Sequence, residues 1–191
     1  MQSSFEQIAD PRVKRTLQLL HEALARLLES KEFERVTVQD ITDAATLNRA
    51  TFYDHYPDKY ALLHCMVAVR FQDLMAERDV QFNGCSSAMR GMVLAVCDFL
   101  AGSKELGPHM ESAVISVIRQ MVLEGLRRHE AQRIASPEMI ASTVSWALYG
   151  AAKEWARTPG RCAAEEMVDV VVALVSPVLL AGDRDRAEAK G

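Results

Sequence analysis

A chain of 191 residues, 49% of them hydrophobic, is long enough for one domain, or for a small domain joined to a larger one. No apolar run reaches about 18 residues, so no membrane span is expected. The start, MQSSFEQIADPRVKRTL, has an early acid and no apolar stretch, unlike a secretory signal, so a cytoplasmic protein is expected. The net charge of −4 excludes bulk attraction to nucleic acid: up to Lys59, eight Lys/Arg stand against ten Asp/Glu, leaving −2. Cys65, Cys85, Cys97 and Cys162 form no C-x-x-C pair, which points to reduced thiols in or near a helical core rather than a metal site.

The pattern is helical nearly throughout. Asp10-Pro11 is a helix start, an N-cap followed by proline at the first helical position. Leu17, Leu20, Leu24 and Leu27 then recur at three- and four-residue steps, and this first helix fades near Lys31, with Phe33 and Val36 turned to the core. Thr37 caps a short second helix whose buried side is Val38, Ile41, Ala44 and Ala45, with Asp40 suiting its positive end. A break follows at Thr46-Leu47. Asn48 caps a third helix from Arg49 to about Tyr56, and Pro57-Asp58 leads into a fourth, from Lys59 to about Asp79. Gly84 and Ser86-Ser87 precede a helix over about Ala88–Leu100, and Gly102 and Gly107-Pro108 bracket a loop. Further helices are expected over about Met110–Arg133, from Ser136-Pro137-Glu138 to about Arg157, and over about Ala164–Leu180, followed by a frayed charged tail, 182–191.

Two short helices joined by a tight turn, 37–56, match a helix-turn-helix, whose second helix lies in the major groove. Phe52 and Tyr56 then face inward and Leu47 holds the turn, while Arg49, Thr51, Tyr53 and His55 project outward. Arginine can give two bonds to guanine; threonine, tyrosine and histidine donors suit phosphate oxygens. Lys59 starts the fourth helix, where exposed backbone N–H groups also favour an anion. On period and composition alone, a solvated polar surface helix fits this stretch about equally well.

The stretch VTVQDITDAATLNRATFYDHYPDKYALL, residues 36–63, resembles the signature of the TetR/AcrR family of transcriptional regulators, through T-V-x-D-I, T-F-Y-x-H-Y and D-K-x-x-L-L at fixed spacing. With the first helix, the resemblance covers about the first third of the chain. It implies an all-α fold: a three-helix DNA-binding domain over 10–58, then a helical ligand-binding and dimerisation domain over 59–181. It places Gln39, Arg49 and Ala50 where the family approaches bases, Thr37, Thr51, Tyr53, His55 and Lys59 where it grips phosphate, and Asn48 at the cap between them. The family often has glycine at Thr46, at Ala50 and at Glu32. Threonine at a turn position with φ > 0 is strained, so the turn here either avoids that conformation or is capped differently by Asn48.

The resemblance further implies a small-molecule effector and a homodimer on a palindromic operator, hence a repressor released by its ligand. Met66, Phe71, Phe99, Met110, Met121, Trp146 and Tyr149 are candidates to line the effector pocket, with His109, Glu111, Arg119 and Glu124 as polar anchors. For the dimer, Ala147, Gly150 and Ala151 allow close helix approach, and Val168, Val171, Val172, Val175 and Leu179 form an apolar stripe. The other reading of those residues is ordinary core. No G-x-S-x-G, P-loop or H-E-x-x-H occurs, so no enzyme, metal or cofactor is expected. A helical protein–protein interaction module without DNA binding is the alternative; it suits the acidic balance but leaves the spacing within 46–59 without a reason.

Overall fold

The structure, a computed structural model, describes residues 10–78, 85–102, 107–128 and 135–180. These residues form α1 (Pro11–Leu28), a 3₁₀ turn (Phe33–Arg35), α2 (Val38–Ala45), α3 (Arg49–His55), α4 (Lys59–Glu77), α5 (Cys85–Ala101), α6 (Pro108–Arg128), α7 (Pro137–Arg157) and α8 (Ala164–Leu180), with no strand among them. The all-α expectation holds. The expected extension of α6 to Arg133, the loop at 103–106 and the charged tail lie outside the described residues.

The chain divides into two compact units, and the division falls inside α4, between Met66 and Val67, rather than at Asp58. The first unit holds the residues up to Met66 together with Gly107–Met110. Its helices begin where short polar side chains meet orphan backbone N–H groups. Asp10 accepts from the Arg12 N–H at 2.8 Å with Pro11 behind it. Thr37 and Asp40 form a reciprocal capping box at the start of α2. Leu20 and Leu24 of α1 are fully buried with Val36, Ile41, Phe52 and Leu62, while Leu17 and Leu27 are half-buried. α1 packs on α2 and α2 on α3. Thr42, buried among them, donates back to the Val38 carbonyl at 3.0 Å, which satisfies its hydroxyl.

The 3₁₀ turn is fastened from the far side. The Lys59 ammonium donates to the carbonyls of Phe33, Glu34 and Val36 at 2.9, 3.0 and 2.7 Å and lies 4.7 Å from the centre of the Phe33 ring. Tyr60 and His109 pack their rings on Phe33 with centroids 5.3 and 5.6 Å away, and His109 stands 3.6 Å from the Glu34 carboxylate.

In the second unit α5, α7 and α8 pack mutually. Phe71 of α4 is buried and stacks on Phe99 of α5, and Val114, Ile118 and Val122 form the buried stripe of α6. Arg78 is forked onto Asp98 at 2.7 and 2.8 Å and reaches Glu165 at 3.3 Å, and Arg90 pairs with Asp169. α7 starts on the Ser136 cap with Pro137 in its first turn. After its end, Gly160 takes a left-handed φ of 66° and the Trp155 indole donates to the Cys162 carbonyl at 2.9 Å.

Candidate nucleic-acid interface

The connection between α2 and α3 is a tight, hydrogen-bonded one. Thr46 ends α2 in the left-handed region, at φ 57° and ψ 42°. The Leu47 N–H then reaches the Thr42 carbonyl at 2.9 Å and the Thr46 N–H reaches Asp43 at 3.1 Å, the paired bonds of a Schellman ending. Contrary to the expectation from the sequence, the turn does not avoid the strained conformation: Thr46 itself adopts it, and Asn48 is an ordinary cap of α3. Two residues on, Asn48 Oδ1 accepts from the Thr51 N–H at 2.7 Å and starts α3. A short helix is thus fixed at its start by a side chain and at its approach by the α2 ending.

The inner face of α3 is held by aromatic rings. Phe52 is fully buried, and its ring lies 6.0 Å from that of Tyr56, just past the helix end. The Tyr56 hydroxyl donates to Cys65 Sγ at 3.3 Å and stands 3.0 Å from His21 Nε2, joining the end of α3 to α1 and α4. Burial raises the Tyr56 phenol and the Cys65 thiol and lowers the His21 imidazole, so all three stay neutral at pH 7. No charge is trapped behind the helix.

Arg49, Ala50, Tyr53 and Asp54 are exposed, and Thr51 and His55 are half-buried. This is the outer face of a seven-residue helix whose inward residues are Phe52 and Tyr56. Arg49 Nη2 donates to the Tyr53 hydroxyl at 3.3 Å, which steadies the guanidinium and leaves its other donors for a base or phosphate. On α2, the Gln39 amide donates to Asp43 at 2.7 Å.

Three side chains expected at phosphates have their donors engaged within the domain in this structure. The Lys59 ammonium has its three donors on backbone carbonyls of the 3₁₀ turn. The Thr37 hydroxyl gives its one proton to Asp40 at 2.8 Å, and the Thr51 hydroxyl gives its proton to Asn48 Oδ1 at 3.0 Å. A phosphate oxygen needs a donor, and in this structure these three side chains spend theirs inside the domain. Tyr53 and His55 keep donors on or near the outer face.

The pocket candidates fall in both units. Met66 and Met110 belong to the first unit; Phe71, Phe99, Met121 and Tyr149 belong to the second. Trp146 is corrected: it is 61% exposed on the protomer surface and lines no interior. Of the polar anchors, His109 packs on Phe33, Arg119 donates to Ser142 at 3.1 Å and Glu124 accepts from Gln120 at 3.3 Å. Glu111 pairs with Lys153 at 2.8 Å, and the phenol of the buried Tyr149 is pushed up to about 12, first by burial and then by the Glu111 carboxylate. Lys153 was not foreseen, although it stands one turn after Tyr149 on α7 and lies over its ring.

The dimer candidates also divide. Ala147 and Gly150 are exposed and Ala151, Val172 and Leu179 are half-buried. Val168, Val171 and Val175 are corrected: they are buried in the protomer's own core, where a partner cannot touch them. The large apolar side chains exposed on these two helices are Met139 and Trp146 on α7 and Val170 and Leu174 on α8. Both pairs follow helical spacing, and α7 packs against α8.

Residues 20–66 match the family model for bacterial regulatory proteins of the tetR family. An uncharacterised HTH-type transcriptional regulator, YxbF of Bacillus subtilis (strain 168), is 41% identical over 63 residues, 32% of this chain and only 17% of that protein's length. The fold resembles the crystal structure of a TetR transcriptional regulator from Streptococcus agalactiae 2603V: TM-score 0.53, 21% identity, 89% of this chain and 98% of that one. It also resembles Thermus thermophilus FadR, a TetR-family transcriptional repressor seen in complex with lauroyl-CoA, with TM-score 0.51, 22% identity, and 86% and 93% of the two chains covered.

Proposed function

We propose that this chain, whose residues 20–66 match the family model for bacterial regulatory proteins of the tetR family, is a member of that family and acts as a homodimeric, sequence-specific repressor released from its operator by a small molecule. The observation that supports this best is the outer face of α3. Arg49, Ala50 and Tyr53 are exposed on a short helix locked from behind by Phe52 and Tyr56. Arg49 and Gln39 are the base-reading side chains in this reading, and Tyr53 and His55 the phosphate donors. With a net charge of −4, binding to random DNA is weak, so recognition depends on these few local contacts.

The dimer forms through Met139, Trp146, Val170 and Leu174, large side chains that a lone protomer leaves in water. Ala147 and Gly150, exposed on α7 beside Trp146, let the helices approach closely. A two-fold dimer presents two α3 helices and so reads a palindromic operator, with half-sites about one DNA turn, about 34–36 Å, apart. An effector that prefers a form with wider spacing draws the population toward it, by no more than its difference in affinity for the two forms. α4, continuous from Lys59 to Glu77, is the chain's own link for that change. Glu111, Lys153 and Tyr149 are the polar residues offered to the effector. Repression of bacterial genes places the protein in the cytoplasm.

Selection of bound duplexes from a random DNA pool tests the reading. An enriched palindrome with two half-sites is the expected result. No enrichment by the folded protein refutes it and favours the interaction-module alternative. An effector that releases DNA without changing the distance between the two α3 helices refutes the spacing mechanism alone.

A further inference from the structure

Four carboxylates lie between Thr37 and Asp58, and three of them have local partners. Asp40 accepts from Lys31 and from the Thr37 N–H, both at 2.7 Å. Asp43 accepts from Gln39 at 2.7 Å, and Asp58 caps α4 through the Ala61 N–H at 2.8 Å. Asp54 has no hydrogen bond or ion pair among the described residues. It is exposed next to Tyr53, one turn after Ala50, on the outer face that Arg49 begins. It also stands next to last in α3, where the helix dipole disfavours an anion.

Asp54 therefore stabilises neither its helix nor its domain, and beside phosphates it repels. A carboxylate in the major groove has one favourable use, because it can only accept. The donors that bases show there are exocyclic amino groups, cytosine N4 and adenine N6. We infer that Asp54 is a specificity-determining residue that accepts a hydrogen bond from an exocyclic amino group of one base in each half-site, and rejects guanine and thymine there through their O6 and O4 acceptors. This rests on the DNA-binding reading above.

The test uses the full chain, its Asp54→Ala and Asp54→Asn variants, and duplex selection followed by competition binding at fixed salt. Duplexes carrying each of the four base pairs at the selected position separate cytosine from adenine. Wild type is expected to demand one of these two bases by about ten-fold or more, and Asp54→Ala to level that preference. Asp54→Asn, nearly isosteric and able to donate, is expected to gain tolerance for guanine or thymine and controls for any folding defect of the alanine variant. An unchanged four-base ratio, with the alanine variant binding every duplex more tightly, overturns the inference: the carboxylate then only repels phosphate. No enrichment by the wild type overturns the DNA-binding reading and this inference with it.

Discussion

Replacing Thr46 by glycine should stabilise the N-terminal unit. Thr46 sits at φ 57° and ψ 42°, the one non-glycine residue with positive φ among those described. An L-residue there carries about 1–2 kcal/mol of strain, and a β-branched one is a true outlier. The side chain is exposed and makes no hydrogen bond that its removal would sacrifice. Glycine removes the strain but has more freedom to lose on folding, a cost of about 0.5–1 kcal/mol. The balance is a gain of about 0.5–1 kcal/mol, or a rise in Tm of about 2–8 °C for a unit of this size. Thermal unfolding followed by circular dichroism measures it. Thr46→Ala is the control, since alanine keeps a Cβ in the left-handed region and should gain little. If glycine proved no more stable than alanine, the left-handed strain would not be stored at this turn.

Other consequences follow from the same unit and from the exposed face of the second. Lys59→Met should cost about 2 kcal/mol, because three carbonyls of the 3₁₀ turn lose their charged donor; urea unfolding reads this, and a methionine variant as stable as wild type would restore Lys59 to the phosphate contacts. The Asp40 carboxyl is held down to about 2, first by Lys31 and then by Thr37, from an ordinary value of 3.8. Its folded value is the lower one, so its contribution is present above about pH 4 and is lost as pH falls toward 2. Lys31→Met should flatten that acid limb of a stability–pH curve; an unaltered curve would deny the pair a role. Leu174→Glu puts a charge on a side chain 70% exposed in the single chain, so it should leave folding intact and split the proposed dimer in sedimentation; a dimer unshifted by the substitution would place the interface elsewhere, and a monomeric wild type would refute the dimer.

Much of this protein was legible in the residues because its signals are local. Asp10, Thr37, Asn48 and Ser136 satisfy N–H groups two or three residues away, so helix starts could be read where they occur. Phe52 and Tyr56 stand one turn apart, which alone assigns the inner face of α3 and, by subtraction, the outer one. The family signature then gave that face a purpose.

What only the tertiary structure decided depends on groups distant in sequence, or on patterns with no preferred side. The partners of Lys59 lie 23 to 26 residues before it, so nothing near it tells a phosphate donor from a clamp on backbone carbonyls. Thr46 is compatible with two turn conformations, and the left-handed one is imposed by the need to bring α3 back against α2. Along α8 the residues from Val168 to Val175 are apolar almost without interruption. A helix that is apolar all round does not mark its buried side. Packing against α5 and α7 buried Val168, Val171 and Val175 and left Val170 and Leu174 in water. Periodicity can name a face only when the opposite face is polar, and here that contrast exists on α3 and is missing on α8.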